Sequence, residues 1–274
     1  MEQIVQALIM GIVQGFTEFL PISSSGHLLL VPWLLGWKDP FIASLAFSVV
    51  LHGGTLGALL LYFRDDWRRL IPAGLAAIRD RSFRDDPDRR LAWLLAASTV
   101  PAVVAALLLN DLIEENVRQV GLVAVMLVLA GAVLWLADKW GPRTHTIARL
   151  TFRGALGIGA AQALALIPGV SRSGISMSAA MFAGLDRADA ARFSFLMATP
   201  ITGMAVVYES LKLIRGEVGG AEPMTLIVGV VASFVAGMLA IAVLLRFLRT
   251  RSFSIFVAYR VVLAAVVLAA FLAR

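Results

Sequence analysis

Six apolar runs, each long enough to cross a lipid bilayer as a helix, constrain this chain more than any other feature. A transmembrane helix needs about 20 predominantly apolar residues. Of the 274 residues, 59% are hydrophobic and only 15% are charged, and there is no cysteine to form disulfides. We therefore predict an all-α integral membrane protein with six transmembrane helices, at Phe41–Phe63, Leu91–Leu109, Val120–Ala137, Ala190–Leu211, Met224–Leu245 and Phe253–Leu272.

Two further apolar regions are interrupted. Ile4–Leu35 is broken at Pro21 and the serines that follow it, and Leu150–Ala183 is broken at Pro168 and Gly169. Proline breaks a helix, and irregular backbone is tolerated at membrane depth only inside protein or beside a wet cavity. We predict that each region is a re-entrant helix pair rather than a further span.

The distribution of Lys and Arg predicts the orientation. Seventeen of the 24 fall in connections that we expect to be cytoplasmic. These are Arg64–Arg90, which we expect to be the only sizeable polar loop, Lys139–Arg153, Arg187, Arg192 and Arg246–Arg251. The opposite side carries only Lys38, Arg118, Lys212, Arg215 and Arg274. This segregation predicts one membrane domain over residues 1–274, an inverted-topology repeat of about 1–140 and 150–274. The net charge of +6 then reflects topology beside anionic lipid, and no nucleic-acid partner is expected.

The first break carries unusual chemistry for a membrane segment. Gln14 and Glu18 are four residues apart and share one helix face. Residues 20–27, here named the first tip, then supply Ser23, Ser24, Ser25, Gly26 and His27. An ionisable group inside a membrane is a functional candidate by default. Serines and glycine before an apolar run predict a turn whose amides and hydroxyls face an anion at a helix N-terminus.

The second break, residues 168–176, is named the second tip and echoes the first. Ser23-Ser-Ser-Gly26 and Ser171-Arg-Ser-Gly174 agree at three of four positions, and a proline precedes each. Arg172 has a planar fork that matches phosphate oxygens, and its partner is Glu18, a bound phosphate, or each in turn. Inverted repeats place binding sites where broken helices meet.

Together the two tips hold the groups that phosphoryl transfer needs. Arg172 and helix-end amides would stabilise phosphoryl charge, and Glu18 could hold a divalent cation. A serine activated by a neighbouring base would attack, and His27 could act as acid or base. Two other residues are weaker candidates. A role of His52 in helix packing fits its mid-span position at least as well as a role in the site. Arg260 would pair with a carboxylate, bind lipid phosphate or snorkel to the cytoplasmic edge.

The two motifs resemble those of the undecaprenyl pyrophosphate phosphatase family, the bacitracin-resistance type. Gln14–His27 is similar to its first signature, Glu/Gln-x-x-x-Glu followed by a Ser-rich Gly-His. Pro168–Ser176 is similar to its second, Pro-Gly-x-Ser-Arg-Ser-x-x-Thr. Phe193–Leu196 and Ala258–Arg260 also resemble family segments, so the resemblance covers essentially the whole chain.

The resemblance implies hydrolysis of undecaprenyl diphosphate to undecaprenyl phosphate and phosphate, which recycles the cell-wall lipid carrier and confers bacitracin resistance. It implies a multi-pass protein of the bacterial inner membrane, a site open to the periplasm and a divalent metal, Mg or Ca. A homodimer is left open. Carried over, Glu18 is the metal ligand or base, Ser24 the nucleophile, His27 the acid or base and Arg172 the phosphate clamp. The remaining substrate-binding positions are Gln14, Ser23, Ser25, Gly26, Ser171, Ser173 and Ser176.

Two departures and one rival function qualify these expectations. Gln14 stands where the family signature allows a glutamate, so one carboxylate is absent, and Ser176 replaces the final threonine but keeps the hydroxyl. The sequence does not decide which serine attacks, and direct attack by water stays open. The rival is a transporter or flippase of polyprenyl phosphate lipids, because inverted repeats with broken helices are transporter architecture.

Overall fold

The computed structural model describes residues 1–83, 86–116, 119–215 and 222–273, with side chains at all these positions except 110–116, 209 and 212–214. Within these ranges the chain is helical, and its β-structure is limited to an isolated bridge between His145 and Leu185. Eleven α-helices occur there: α1 Glu2–Phe19, α2 Ser24–Leu35, α3 Leu45–Tyr62, α4 Arg64–Asp80, α5 Pro87–Asn116, α6 Val120–Trp140, α7 Phe152–Ala163, α8 Arg172–Phe182, α9 Arg187–Ile214, α10 Pro223–Leu248 and α11 Ser254–Leu272.

The six predicted spans are confirmed. Helices α3, α5, α6, α9, α10 and α11 are each long and apolar enough to cross a membrane. The chain is thus an all-α, multi-pass membrane protein. Among the charges used to predict orientation, Arg84, Arg118 and Arg274 lie outside the described residues, as does the side chain of Lys212.

Both predicted breaks are present. The first separates α1 from α2 at residues 20–23. The second follows α7 and a 3₁₀ turn, Leu164–Leu166, and runs through Gly169, whose φ of 98° favours glycine. That each pair enters and leaves the bilayer on one side stays a prediction, as do the single domain and its division into repeats.

Each broken pair packs against the opposite half of the chain. Helix α1 lies on α10 and helix α7 lies on α5. Both contacts depend on glycine, because a methyl group at Gly11 would overlap the Gly229 carbonyl and one at Gly159 would overlap the Ser98 carbonyl. The two tips are therefore held in place by helices that they do not adjoin in sequence.

The polar segment Arg64–Arg90, expected to be a loop, is largely helical. Helix α4 fills Arg64–Asp80, and α5 begins at Pro87. Leu70 and Ala77 are buried in α4, whereas its exposed face carries Ile71, Leu75 and Ile78. The prediction was wrong because it weighed charge alone. Much of that charge forms ion pairs along the helix, such as Arg69 with Asp66, while the apolar residues keep a helical period.

Candidate active site

The two tips have the same local backbone. Ser23 and Ser171 have φ of 75° and 74°, a conformation that side-chain-bearing residues rarely adopt. Each serine caps the helix that follows it, because its Oγ accepts a hydrogen bond from the amide three residues later. The distances are 3.3 Å from Gly26 N and 3.1 Å from Gly174 N. The strained turn is thus built twice, once in each half.

The tips also bind one another. Gly169 N donates to Ser23 Oγ at 3.1 Å, and Ser173 Oγ donates to the Leu20 carbonyl at 3.1 Å. Within each tip two hydroxyl oxygens also lie close together: those of Ser23 and Ser25 at 3.3 Å, and those of Ser171 and Ser173 at 3.2 Å. The structure thus brings together the two motifs that the sequence predicted would meet.

The Glu18 carboxylate is the centre of the polar contacts between the tips. Its side chain is 4% exposed. Arg172 Nη2 donates to Oε1 at 2.7 Å, and Ser24 Oγ donates to Oε2 at 2.6 Å. Gln14 Nε2 donates to the same Oε2 at 3.1 Å. Of the partners predicted for Arg172, the structure shows Glu18, in a charge-assisted hydrogen bond.

His52, a weak candidate from the sequence, also reaches this carboxylate. Its Nε2 lies 3.4 Å from Glu18 Oε2, and its side chain is 25% exposed. The other ring nitrogen, Nδ1, donates to the Ser48 carbonyl at 2.7 Å and so fixes the ring. Sequence reasoning did not predict this contact, because no local motif reports a contact between α1 and α3. A histidine in the middle of an apolar span was the available signal.

His27, predicted as the acid or base, makes different contacts. Nδ1 donates to the Ser23 carbonyl at 2.7 Å, which leaves Nε2 to accept from the Tyr259 hydroxyl, also at 2.7 Å. The two rings are stacked, with centroids 5.7 Å apart. The structure thus orients the ring of His27 by two hydrogen bonds, neither of them to the carboxylate. Sequence analysis missed Tyr259.

Arg260 departs from all three roles considered for it. It is fully buried, so it neither snorkels nor reaches a lipid headgroup, and its hydrogen-bond partners are backbone carbonyls rather than a carboxylate. The expectations failed because they considered a carboxylate, a lipid phosphate and the cytoplasmic edge as partners, but not backbone carbonyls of the two tips.

The remaining predicted residues support the tips. Ser176 is buried, donates to the Arg172 carbonyl at 2.7 Å and lies 2.6 Å from Ser194 Oγ, which ties α8 to α9. A methyl group at Gly26 would lie only 3.2 Å from the Val123 side chain, so the first tip packs closely on α6. Ser25 is exposed. Hence Gln14, Ser24 and Arg172 contact Glu18, whereas Ser23, Ser171, Ser173 and Ser176 hold the backbone.

Two atoms in this cluster are buried without a hydrogen-bond partner, Gln14 Oε1 and Arg172 Nη1. Such atoms are rare in folded proteins, and each costs roughly 1–3 kcal/mol if nothing binds it. One is a hard oxygen acceptor and the other a cationic donor. They suit a divalent cation and a phosphate oxygen, respectively.

The donor set tests the predicted metal. Within the described ranges no group of three or more His, Cys, Asp or Glu could hold a metal ion. Magnesium, however, is commonly bound by one or two carboxylates together with substrate phosphates. Glu18 and Gln14 Oε1 fit a cation held in that shared manner.

Comparison with known proteins adds independent evidence. The family model described as "Bacitracin resistance protein BacA" matches residues 7–266. The chain is 46% identical over 269 residues to the undecaprenyl-diphosphatase of Gemmatimonas aurantiaca, covering 98% of each chain. It is 45% identical over 269 residues to that of Desulforudis audaxviator, again 98% of each, and 46% identical over 272 residues to that of Geobacter sulfurreducens, 99% of each. The chain therefore belongs to the bacitracin resistance protein BacA family.

Proposed function

We propose that this protein hydrolyses undecaprenyl diphosphate to undecaprenyl phosphate and inorganic phosphate. One observation supports this reaction above the others: Glu18 accepts hydrogen bonds from Ser24 in the first tip and Arg172 in the second. The hydroxyl of Ser24 and the phosphate-binding guanidinium of Arg172 thus meet at one carboxylate, which can act as the base. The relatives named undecaprenyl-diphosphatase support the choice of substrate.

Substrate binding follows from the second tip. Arg172 Nη1 has no hydrogen-bond partner and donates to an oxygen of the terminal phosphoryl group, while Nη2 stays on Glu18. A guanidinium matches phosphate geometry and keeps its charge at any working pH. The N-termini of α2 and α8 add partial positive charge at the tips, which further favours a diphosphate.

The chemical step follows from the first tip. Ser24 Oγ attacks the terminal phosphorus and passes its proton to Glu18, since the hydroxyl already donates to Oε2 at 2.6 Å. An Oγ–P bond forms, the bridging P–O bond breaks and undecaprenyl phosphate leaves. Water then attacks this phosphorus and the Oγ–P bond breaks, Ser24 Oγ takes back the proton held on Glu18, and phosphate leaves with the oxygen and protons of the water. If water attacks directly instead, Glu18 is again the group placed to take its proton.

A divalent cation fits this scheme at Glu18 and Gln14 Oε1, beside the diphosphate oxygens. When bound it supplies positive charge that offsets the charge of the phosphates. Arg172 supplies charge from the opposite tip.

The proposal includes an orientation in the bacterial inner membrane. The Lys and Arg residues concentrated at Arg64–Arg90 and in the other connections named above support a cytoplasmic position for those connections. We take the site to open towards the periplasm, as the resemblance to the family implies. Assembly as a homodimer stays a prediction.

A transporter of polyprenyl phosphates is the second candidate, favoured by the shared backbone of the tips. Transporters bind substrates between the broken helices of two repeats. The turn at Ser23 and its copy at Ser171 match that design. Binding alone, however, does not require a serine hydroxyl on a buried carboxylate.

Phosphate release from undecaprenyl diphosphate by the purified protein, with and without EDTA, tests the proposal. Ser24→Ala is the test variant, and Ser25→Ala is its control because Ser25 is exposed and contacts only Ser23 among the hydroxyls. We expect release that EDTA abolishes, that Ser24→Ala loses and that Ser25→Ala largely keeps. Release that survives Ser24→Ala moves the attack to Ser23, Ser25 or water. No release by folded, lipid-binding wild type supports the transporter.

A further inference from the structure

We propose that Arg260 is a positioning residue for the reaction, which sets the placement of the two tips relative to each other. The inference rests on the proposed function, because it concerns how the groups at Glu18 are aligned. Arg260 belongs to α11, far in sequence from both tips, and touches neither the carboxylate nor the reacting hydroxyl among the contacts described.

The contacts of Arg260 join three elements. Its Nε donates to the Pro21 carbonyl in the first tip at 2.6 Å, and Nη2 donates to the Val170 carbonyl in the second tip at 2.9 Å. Nη1 lies 3.5 Å from the Leu127 carbonyl of α6, at the outer limit of a hydrogen bond. The rigid, planar guanidinium group thus fixes the separation of the two tips, because its donors cannot move independently.

The two carbonyls lie close to the reacting groups in the chain. Pro21 stands three residues before Ser24, and Val170 stands two residues before Arg172. A shift of either carbonyl therefore shifts a residue that contacts Glu18. The direct bonds between the tips, from Gly169 to Ser23 and from Ser173 to Leu20, lie beside the Arg260 contacts and complete the same frame.

The surroundings of Arg260 are shaped to admit it. A methyl group at Gly131 of α6 would lie 3.3 Å from Arg260 Cδ, and one at Gly174 would lie 2.9 Å from Nη2. Both positions are glycine, one on each side of the side chain. The space for the guanidinium is thus provided by α6 and α8 together.

Stability alone is a poor explanation for this residue. Arg260 is 0% exposed, and its hydrogen-bond partners are neutral carbonyls. Burying a guanidinium without a counter-charge is unfavourable, and an apolar residue of similar size would commonly serve stability as well or better. A planar donor that binds both tips at once gives the cation a use that an apolar residue cannot supply.

The test separates alignment from folding by comparing kcat, KM and thermal stability. The variants are Arg260→Gln and Arg260→Lys, the second of which keeps the charge but loses the fork. The control is Arg187→Gln, because Arg187 pairs with the buried Asp138 and follows the end of α8 opposite the second tip. Affinity for inorganic pyrophosphate is measured on each variant as a readout independent of turnover.

We expect kcat of Arg260→Gln to fall about 100-fold, since small misplacements of reacting groups cost about that much. KM and the pyrophosphate Kd should change less than about tenfold. Arg260→Lys should recover only part of the rate. Arg187→Gln should lower the thermal midpoint and leave kcat of the folded protein unchanged.

Unchanged kcat in folded Arg260→Gln, or full rescue by Arg260→Lys, overturns the inference and leaves the proposed function intact. Absence of turnover in wild type refutes the proposed function instead. If Arg260→Gln does not fold, Gly131→Ala is used, because its methyl group presses on Arg260 Cδ without touching either tip. A fall in kcat of several-fold is then expected, and an unchanged kcat overturns the inference.

Discussion

The two tips have the same local backbone conformation but carry different reactive side chains. In both, a serine with positive φ caps the following helix and lies close to the hydroxyl two residues on. The residue after that serine is Ser24 in the first tip and Arg172 in the second. The same turn therefore presents a hydroxyl in one half and a cation in the other.

The difference separates residues that hold the backbone, here called the frame (Ser23 and Ser171), from residues proposed to take part in the reaction, here called the reagents (Glu18, Ser24 and Arg172). Ser23 and Ser171 occupy equivalent positions and do equivalent work on the backbone. Glu18 and Arg172 have no such equivalence, yet they bind each other across the tips. Substitutions in the frame should therefore act alike in both halves, whereas substitutions of the reagents should not.

The largest effect is expected at Glu18, because its carboxylate contacts both Ser24 and Arg172. Glu18→Gln keeps the shape but removes the base and the charge that Arg172 binds. We expect kcat to fall at least about 1,000-fold, within the range for loss of a general base. Phosphate release and circular dichroism, measured on the same detergent-purified protein, check this. A near-normal rate with a normal fold would remove Glu18 from the reaction.

Arg172→Lys tests whether the second tip contributes only charge. Lysine keeps the cation but cannot bind Glu18 and a phosphate oxygen with a planar fork. We expect kcat/KM to fall roughly 10- to 100-fold, about the worth of one or two charge-assisted hydrogen bonds. The matched change Arg69→Lys, in the exposed ion pairs of α4, should have no effect. Equal activity of Arg172→Lys and wild type would show that a point charge suffices.

His52→Gln sharpens the asymmetry, because α3 supplies an imidazole to Glu18, the carboxylate that precedes the first tip. Glutamine can still reach Glu18 but cannot carry the positive charge of an imidazolium. We expect kcat to fall about tenfold, less than for Glu18→Gln, because His52 supports the carboxylate rather than reacting. A steady-state comparison with His145→Gln, a change outside the tips, checks it. No change in kcat would confine His52 to helix packing.

The smallest effect is expected from the frame serines, and it should be similar in both halves apart from the additional hydrogen bond that Ser23 Oγ accepts from Gly169 N. Ser23→Ala and Ser171→Ala each lose a helix cap, which should cost about 0.5–2 kcal/mol of folding free energy, and they keep the positive φ that the wild-type serines already have. Ser23→Gly and Ser171→Gly relieve the φ and should cost less. Thermal unfolding of the four variants measures this. Alanine variants more stable than glycine variants would contradict the strained turn.

Local patterns in the sequence predicted most of the architecture. Apolar run length gave the six spans, and Pro21 and Pro168 gave the two breaks, because both signals act within a few residues. The pairing of Arg172 with Glu18 was among the predicted alternatives, since an arginine buried at membrane depth needs a partner.

The contacts that sequence could not supply all join distant helices. His52 on α3 reaches Glu18, Tyr259 on α11 reaches His27, and Arg260 reaches both tips. Periodicity places a residue on a face of its own helix but does not say which helix that face meets. For that reason His52 and Arg260 were ranked below His27, which merely lies nearer to Glu18 along the chain.

The close fit of α1 against α10 also affects how the protein is made. Glu18 stands near the end of α1, whose glycines Gly11 and Gly15 pack against the backbone of α10. During translation α1 leaves the ribosome long before α10 exists. The helix that carries the carboxylate must therefore wait in the membrane, without its partner, until most of the chain has been inserted. A chain truncated before α10 would carry every residue of both tips and still lack the surface that seats Glu18.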